Sequence, residues 1–311
     1  MNITIRQLRY FEALARHGHF GRAAEASAIS QPALSVQIRE LEANLGAALF
    51  ERSPRQVSLT SLGQEFASRV REILRGVDEL GDLARASRGG LSGRLRIGVI
   101  PTIAPYLLPT LAEALMRAYP GLDLDFRETV TPKLIEELED GRLDTAILAL
   151  PISEPSLVEV ALFTETFVLV RPEAEGDRPM PAAARLHEMR LLLLEEGHCF
   201  RDQALSFCDM PTVRARHGLD GSSLSTLVQM VGAGLGVTLI PEMAVAVEAR
   251  SAPVAVGRFP DPQPSRVVGM TWRRSTPLAA ELQALSEVIR QAVTRVGPPP
   301  PVPLPPSPAP A

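Results

Sequence analysis

Cysteine is scarce in this chain: its 311 residues include only two, too few for the disulfide framework of a secreted domain. Long apolar runs are absent as well, because no stretch approaches the ~20 apolar residues that a membrane-spanning helix needs. Residues 1–20 mix arginines with spaced apolar residues and lack the uninterrupted apolar core of a signal peptide. The sequence therefore predicts a cytoplasmic protein without a membrane partner, in which thiols are kept reduced.

An excess of basic residues is also missing. The chain has 32 lysines and arginines against 36 aspartates and glutamates, which gives a formal net charge of −4. Lys133 is the single lysine, so arginine carries almost all of the positive charge. Any surface that binds nucleic acid must therefore be local. Apolar residues make up 45% of the chain and charged residues 22%, which excludes a disordered or fibrous protein and fits two or three folded domains.

A pair of short helices is predicted near the amino end. Small side chains at Ala23, Ala24 and Ala26 let a second helix approach closely. Ser30 is expected to cap that second helix, and Pro32 falls in its first turn, where a missing N–H costs little. Apolar residues then recur at three- and four-residue steps and predict one buried face. They are Leu34, Ile38, Leu41 and Leu45.

The polar side chains of this second helix are Gln31, Ser35, Gln37 and Arg39. Two such helices are typical of the helix-turn-helix, in which the amino end of the second helix enters the major groove of DNA. Glutamine reads adenine edges, while Ser35 and Arg39 are suited to bases or phosphates. The alternative is an ordinary helix pair with a solvated polar face.

The segment that follows favours DNA binding. Residues 49–52 and 57–60 predict two short strands of a wing. Arg52 and Arg55 lie at its tip, where arginine is suited to phosphates or the minor groove. These two side chains complete the set of residues that we expect to contact DNA.

A long helix is predicted over residues 61–90, with Thr60 as its cap. The helix carries an apolar stripe with nothing local predicted to pack on it, which favours a linker and dimerisation helix. The stripe consists of Leu62, Phe66, Val70, Ile73, Leu74, Val77 and Leu80. The alternative is that the stripe packs on the chain's own domain.

Residues 91–296 alternate short apolar strands with helical segments, which predicts an α/β region with mostly parallel sheets. This length suffices for two lobes with a cleft between them, where ligands lie beyond the carboxyl ends of the strands. Residues 297–311 are proline-rich and predict a disordered tail. The expected fold is an all-α winged helix-turn-helix (residues 1–60), a linker helix (61–90) and a two-lobed α/β regulatory domain (91–296).

The run SQPALSVQIRELEANLGAALFERSPRQVSLTSLG, residues 30–63, resembles the DNA-binding domain of LysR-type transcriptional regulators. The likeness extends in order over residues 4–295 and implies a regulatory domain similar to periplasmic binding proteins. It also implies a homodimer or homotetramer that binds a dyad-symmetric operator in double-stranded DNA, with RNA polymerase as a further partner.

Both cysteines lie in one segment, residues 191–210. Cys199 follows a predicted strand and opens a predicted helix, whose positive dipole end favours a thiolate. His198 and Arg201 are further candidates for stabilising that charge. A thiolate attacks peroxide to give a sulfenic acid, with which a second thiol condenses.

The spacing of Cys199 and Cys208 makes such a bond difficult to form. If residues 200–207 are helical, the two Cα atoms lie about 13 Å apart at ~1.5 Å per residue. A disulfide needs roughly 4.4–6.8 Å, so the helix would have to unwind, which makes a two-state element. The alternative is that both cysteines are inert buried thiols.

The segment GHCFRDQALSFC, residues 197–208, resembles the redox segment of OxyR-type hydrogen peroxide sensors, including its cysteine spacing. The stretch IPTIAPYLLP, residues 100–109, resembles their first strand-to-helix turn. The resemblance implies that Cys199 is the peroxidatic cysteine and Cys208 the resolving one, in an activator of oxidative-stress genes. It assigns peroxide binding or thiolate stabilisation to Thr102, Thr131, His198 and Arg266. From the residues alone, Thr102 could equally be a helix cap.

Two other functions remain open on the sequence. Most LysR-type regulators bind a small organic acid in the interlobe cleft, which would leave the cysteines structural. A thiol peroxidase is the third function, but the chain has no Ser-His-Asp spacing, Walker loop or HExxH motif, so we do not expect an enzyme. Five histidines and two cysteines without clustered spacing predict no metal site, and no cofactor is expected.

Overall fold

A computed structural model of the chain describes residues 3–52, 57–86, 91–181, 185–186, 189–208 and 220–296. The chain divides into two compact units, Met1–Ala84 and Arg85–Ala311. The predicted proline-rich tail and the predicted wing tip around Arg55 lie outside the described residues.

The amino-terminal unit begins with three helices, α1 (Ile5–His17), α2 (Phe20–Ala26) and α3 (Gln31–Leu45). Ser30 caps α3, because its side chain accepts a hydrogen bond from the Ala33 N–H, and Pro32 lies in the first turn. The predicted apolar face is confirmed in its main part: Leu34, Ile38 and Leu41 are fully buried. Ala23 and Ala24 are buried beneath them, so the helices pack closely, as the helix-turn-helix pattern requires.

Two short antiparallel strands, β1 (Phe50–Arg52) and β2 (Val57–Leu59), form the predicted wing. The next helix is α4 (Ser61–Ala86). Thr60 caps it as predicted, accepting a hydrogen bond from the Gly63 N–H at 2.9 Å. Glycine is required at position 63, because a Cβ there would collide with the carbonyl oxygen of Leu49.

The apolar stripe of α4 is divided between two surroundings. The expectation that nothing local packs on it is wrong for three of its seven members. Val70 is buried and Phe66 and Leu74 pack with it in the core of the amino-terminal unit. Leu62, Ile73 and Leu80 remain exposed, at 46%, 49% and 66%. Their spacing of 11 and 7 residues places these three side chains on one face of the helix.

The second unit is built on one mixed sheet of seven strands, which are β3 (Gly93–Val99), β4 (Leu122–Glu128), β5 (Thr145–Leu150), β6 (Leu157–Pro172), β9 (Thr238–Pro241), β10 (Val254–Arg258) and β11 (Ser265–Arg273). Their order in the sheet is β10-β6-β11-β5-β3-β4, with β9 also paired to β6. The prediction of mostly parallel sheets is wrong: within this sheet the β3–β4 and β3–β5 pairs are parallel, and the other four pairs are antiparallel. The physical reason is the long strand β6, which contributes to both lobes and is antiparallel to all of its partners: its amino half pairs with β11 and its carboxyl half pairs with β9 and β10.

Two hydrophobic cores define the two lobes. The first core gathers β3, β5 and the helices α5 (Ala104–Ala118), α6 (Thr131–Glu139) and α10 (Ala279–Val296). The second surrounds the carboxyl half of β6 with α7 (Cys199–Phe207), α8 (Leu224–Gly232) and α9 (Val245–Glu248). A short parallel pair, β7 (Leu193–Leu194) and β8 (Asp220–Gly221), leads into α7 and α8. The predicted helix over residues 200–207 is therefore confirmed.

Candidate functional site

Cys199 is the first residue of α7, at the amino end of the helix. The turn into the helix is made by Gly197, whose φ of +95° lies in the left-handed region that favours glycine. His198 is the N-cap residue, but its side chain makes no capping hydrogen bond. Its imidazole instead lines the pocket described next. Cys199 is partly exposed and unbonded to sulfur, as a reactive thiol must be.

A small pocket brings together residues from three elements. The residues come from the segment after β3, the start of α6 and the start of α7. In that order they are Ile100, Pro101 and Thr102, then Val130 and Thr131, then His198, Cys199 and Phe200. Cys199 and three of its predicted partners, Thr102, Thr131 and His198, thus line one pocket, whereas Arg266 and Arg201 do not. The walls of this pocket leave no room for a water-sized sphere between them, so a peroxide molecule enters only if side chains part.

Arg266 lies behind Thr102 instead of on the pocket wall. Its Nη1 donates to the Thr102 Oγ1 at 2.8 Å, and its Nη2 donates to the Thr102 carbonyl oxygen at 3.1 Å. Arginine has no acceptor, so the Thr102 hydroxyl must accept this bond and keeps its own proton for donation elsewhere. The helix-cap alternative for Thr102 is wrong, because Ile103 is the N-cap of α5 and no side chain caps it.

Thr131 and His198 offer two further polar groups. The Thr131 Oγ1 is buried and has no hydrogen-bond partner within the described residues, so its hydroxyl is available to a ligand. Burial lowers the pKa of His198 below its ordinary value, an effect that the Glu195 carboxylate partly opposes. His198 is therefore neutral near pH 7 and serves as a hydrogen-bonding group rather than as a cation.

Arg201, a candidate for stabilising the charge at Cys199, is hydrogen-bonded to other groups in the structure. Its Nη1 donates to the Leu194 carbonyl oxygen at 2.6 Å and to the Asp220 Oδ1 at 3.0 Å. The side chain is 4% exposed and ties the start of α7 to the β7–β8 pair. Its charge is therefore engaged by Asp220.

Cys208 lies at the opposite end of α7, as the C-cap residue, and is fully buried. Burial raises the pKa of this thiol to about 11, so it is protonated at neutral pH. Nine residue steps of helix separate it from Cys199, about 13 Å at ~1.5 Å per residue. That span exceeds the roughly 4.4–6.8 Å between Cα atoms of a disulfide, so the two sulfurs can join only if α7 unwinds.

Aromatic and aliphatic packing holds α7 in its helical form. Phe200 meets Phe167 edge to face at 4.8 Å between ring centroids, and Phe207 meets Phe259 in the same manner at 5.1 Å. Leu205 is 4% exposed within the second core. Unwinding the helix would disturb these contacts, so the helical state resists closure of the disulfide.

A larger cleft of about 520 Å³ adjoins the small pocket and shares Pro101, Thr102, Val130 and His198 with it. Its charged lining residues within the described part of the chain are Glu128 and Glu248, and none of them is lysine or arginine. Glu248 accepts hydrogen bonds from the Tyr106 hydroxyl and the Ser225 hydroxyl, each at 2.7 Å. The cleft is therefore acidic, which disfavours a carboxylate ligand.

The candidate DNA contacts on α3 do not share one face. Gln31 and Arg39 are exposed and Ser35 is partly exposed, and their four-residue spacing aligns them. Gln37 lies roughly 200° around the helix from Ser35, and its Nε2 donates to the Glu40 Oε2 at 2.8 Å. Gln37 is therefore not part of the aligned row.

Val36 is a residue that sequence reasoning missed on this helix. Its apolar side chain is 41% exposed beside Ser35. An exposed apolar side chain at the amino half of such a helix can contact a thymine methyl group. Of the predicted wing residues, Arg52 ends β1, and Arg55 lies outside the described residues.

Among the described residues, no group of three or more histidine, cysteine, aspartate or glutamate side chains is arranged to hold a metal ion. None of the helices in that part of the chain has both the length and the apolarity that a bilayer span requires.

Comparison with known proteins gives consistent matches. Residues 5–64 match the family described as "Bacterial regulatory helix-turn-helix protein, lysR family", and residues 88–294 match the "LysR substrate binding domain". The chain is 44% identical to a "Probable hydrogen peroxide-inducible genes activator" of Streptomyces viridosporus over 294 residues, 93% of this chain and 94% of the relative.

Two solved structures extend the likeness to three dimensions. A full-length OxyR from Pseudomonas aeruginosa with a cysteine-to-aspartate substitution matches with a TM-score of 0.73 and 37% identity, covering 93% of this chain and 95% of that one. A hydrogen peroxide-bound cysteine variant of OxyR from Corynebacterium glutamicum matches with a TM-score of 0.65 and 33% identity, covering 95% and 94%. The resemblance read from the sequence is confirmed.

Proposed function

Because the chain belongs to the LysR family of bacterial helix-turn-helix regulators, we propose that it controls transcription in response to hydrogen peroxide through Cys199 and Cys208. One observation carries the proposal: a free, partly exposed Cys199 opens α7 beside a polar pocket, while a buried Cys208 ends the same helix. The relative from Streptomyces and the peroxide-bound structure support the choice of signal.

The chemistry proceeds in two steps. In the first, the Cys199 thiolate sulfur attacks one peroxide oxygen, an S–O bond forms, and the O–O bond breaks to release hydroxide, which takes a proton from solvent to become water. The hydroxyls of Thr102 and Thr131 can donate hydrogen bonds to the oxygens as charge shifts. The product is a sulfenic acid on Cys199.

In the second step the Cys208 sulfur attacks the sulfenic sulfur, a disulfide forms, and the departing hydroxide combines with the Cys208 proton as water. The two thiols together lose two electrons, and peroxide gains them. Since the sulfurs start too far apart, this step unwinds α7 and changes the packing of the second lobe. The reaction is stoichiometric signalling, so no turnover as an enzyme is proposed.

The small-organic-acid alternative is weaker for a specific reason. The cleft that would hold such a ligand presents two carboxylates and no lysine or arginine among its described lining residues. A carboxylate entering it would meet charge of the same sign without a cationic partner. The acidic lining therefore favours the peroxide proposal.

On DNA, we propose that α3 enters the major groove of a dyad-symmetric operator. The aligned Gln31, Ser35 and Arg39 make the base and phosphate contacts, with Arg52 and Arg55 reaching phosphates from the wing. The exposed row on α4, Leu62, Ile73 and Leu80, joins copies of the chain into a homodimer or homotetramer.

The remaining parts of the proposal follow from this assignment. The protein acts in the cytoplasm as an activator of oxidative-stress genes, with RNA polymerase as a partner. Its working parts are the DNA-binding domain (residues 1–60), the linker helix (61–90), the sensing domain (91–296) and a tail without an assigned role (297–311).

The experiment that tests the proposal treats the reduced protein with a near-stoichiometric amount of hydrogen peroxide. Disulfides are then mapped by mass spectrometry and the operator is footprinted in parallel. A Cys199–Cys208 bond together with an altered footprint supports the proposal. Unreacted thiols, with a footprint that changes only on addition of an organic acid, would contradict it.

For the DNA-binding helix, Arg39→Ala is expected to weaken operator binding about tenfold and to reduce its salt dependence by about one counterion, because an exposed arginine contact is lost. The measurement is a binding titration at several salt concentrations. Arg117→Ala is the matched control, since this arginine is 70% exposed on the regulatory unit. Unchanged affinity and salt slope for Arg39→Ala would refute the proposed orientation of α3.

A further inference from the structure

Glu165 is a buried carboxylate directly opposite Arg266 on the neighbouring strand. Its Oε2 accepts from the Arg266 Nε at 2.9 Å and pairs with Nη2 at 2.8 Å. Its Oε1 accepts from the Met243 N–H at 3.1 Å. The carboxylate is therefore held from two sides, and its side chain is only 4% exposed.

The same guanidinium is fully buried and shared between two partners. Nε and Nη2 face Glu165, while Nη1 and Nη2 donate to Thr102. The Cζ atom of Arg266 also lies 5.5 Å from the ring centroid of Phe200, the residue next to Cys199. Because the arginine fork is rigid and planar, fixing its Glu165 edge fixes the edge that reaches Thr102.

We propose that Glu165 is a positioning residue for the oxidation of Cys199, acting through Arg266 and Thr102. The proposal rests on the proposed peroxide function and names a group that does not itself touch the pocket. Glu165 balances the buried charge of Arg266 and keeps Nη1 on the Thr102 hydroxyl. That hydroxyl, already an acceptor from arginine, then presents its proton to the peroxide oxygen that leaves as the O–O bond breaks.

The first test is Glu165→Gln in a Cys208→Ser background, so that Cys199 is the single cysteine. Glutamine keeps the shape and one acceptor but leaves the buried guanidinium without a counter-charge. We expect the second-order rate of Cys199 oxidation by hydrogen peroxide, followed by sulfenate trapping, to fall at least about tenfold. Alkylation of Cys199 by iodoacetamide, which needs no proton donor at a leaving oxygen, is expected to change less than about twofold.

A double-mutant cycle tests the route of the effect. Thr102→Val removes the hydroxyl with little change in volume. If Glu165 acts through Thr102, adding Glu165→Gln to Thr102→Val slows peroxide oxidation no further. Glu137→Gln is the matched control, because Glu137 is also buried and forms an ion pair with Arg127, at an N–O distance of 3.3 Å. Glu137 does not line the pocket, so this variant is expected to react with peroxide as fast as the parent does.

The outcomes separate this inference from the proposed function. If the parent protein shows no reaction of Cys199 with peroxide, the proposed function fails. If the parent reacts, any of three results overturns the role of Glu165. Glu165→Gln could react with peroxide as fast as the parent, or its reactions with peroxide and iodoacetamide could slow by the same factor. In the double mutant, the rate losses of Glu165→Gln and Thr102→Val could also prove fully additive. Should Glu165→Gln not fold, Glu165→Asp keeps the charge on a shorter side chain, and an unchanged ratio of the peroxide and iodoacetamide rates would overturn the role equally.

Discussion

Replacing Cys208 with serine is expected to leave the oxidation of Cys199 intact and to abolish every later step. Cys208 is fully buried at the far end of α7, away from the pocket that holds Cys199. The first reaction does not use its sulfur, whereas the disulfide cannot form without it. The variant should therefore accumulate a sulfenic acid that dimedone labels, and its operator footprint should stay that of the reduced protein.

Cys199→Ser is the matched variant at the other end of the helix. It lacks the attacking sulfur and should give neither dimedone labelling nor a changed footprint after peroxide treatment. A Cys208→Ser protein that still changes its footprint would place the signal in the sulfenic acid, and helix unwinding would not be needed. A Cys208→Ser protein that fails to label would show that the roles of the two cysteines are wrongly assigned.

Leu205→Ala is expected to destabilise the reduced protein and to accelerate closure of the disulfide. Leu205 is 4% exposed inside the second core, and truncating such a leucine removes about 2–5 kcal/mol of folding free energy. That packing opposes the unwinding of α7. Since each ~1.4 kcal/mol corresponds to a factor of ten, the step from sulfenic acid to disulfide should become at least about tenfold faster.

The first step serves as an internal reference for this variant. Leu205 does not line the pocket, so the rate at which peroxide oxidises Cys199 should be unchanged. Leu282→Ala is the control, because Leu282 is fully buried in the first core, on α10 and away from α7. It should lower global stability comparably without accelerating closure. Equal closure rates for Leu205→Ala and the parent, measured by rapid acid quench and thiol counting, would mean that α7 packing does not resist closure.

Local features of the sequence predicted much of this architecture. The cap at Ser30, the spacing of Leu34, Ile38 and Leu41, and the cap at Thr60 each depend on side chains within a few residues of one another. The helix between the two cysteines is likewise a local feature. Contacts between residues a few positions apart can be predicted from their spacing, because helix geometry brings such residues to the same face or the same end of a helix.

Features that depend on distant segments could not be predicted. Strand β6 spans Leu157–Pro172, longer than the short strands that the sequence predicts, because its amino half pairs with β11. The resemblance assigns Arg266 to the thiolate region, yet its charge is engaged by Glu165, 101 residues away, a pairing that strand register creates. Strand β10 is likewise defined by its pairing with the distant β6.

The face of a helix that a side chain occupies was the other source of error. Polarity alone groups Gln37 with Ser35 and Arg39, although a two-residue step places it on another side of α3. The spacing of Phe66, Val70 and Leu74 predicts a stripe without a local partner, whereas the core that covers them includes residues of the preceding helices of the same unit. In both cases the residue types predict a contact, with DNA or with a second copy of the chain, that the position of the side chain in the fold does not provide.

Backbone amide hydrogen exchange across α7 tests the central claim most directly, comparing the reduced protein with protein treated with one equivalent of hydrogen peroxide. In the reduced form the helix is hydrogen-bonded to its end, where the Cys208 N–H donates to the Ala204 carbonyl oxygen at 3.1 Å. We predict that amides of residues 202–208 are protected before oxidation and exchange freely once the Cys199–Cys208 bond has formed. A disulfide that forms while these amides keep their protection would contradict the account.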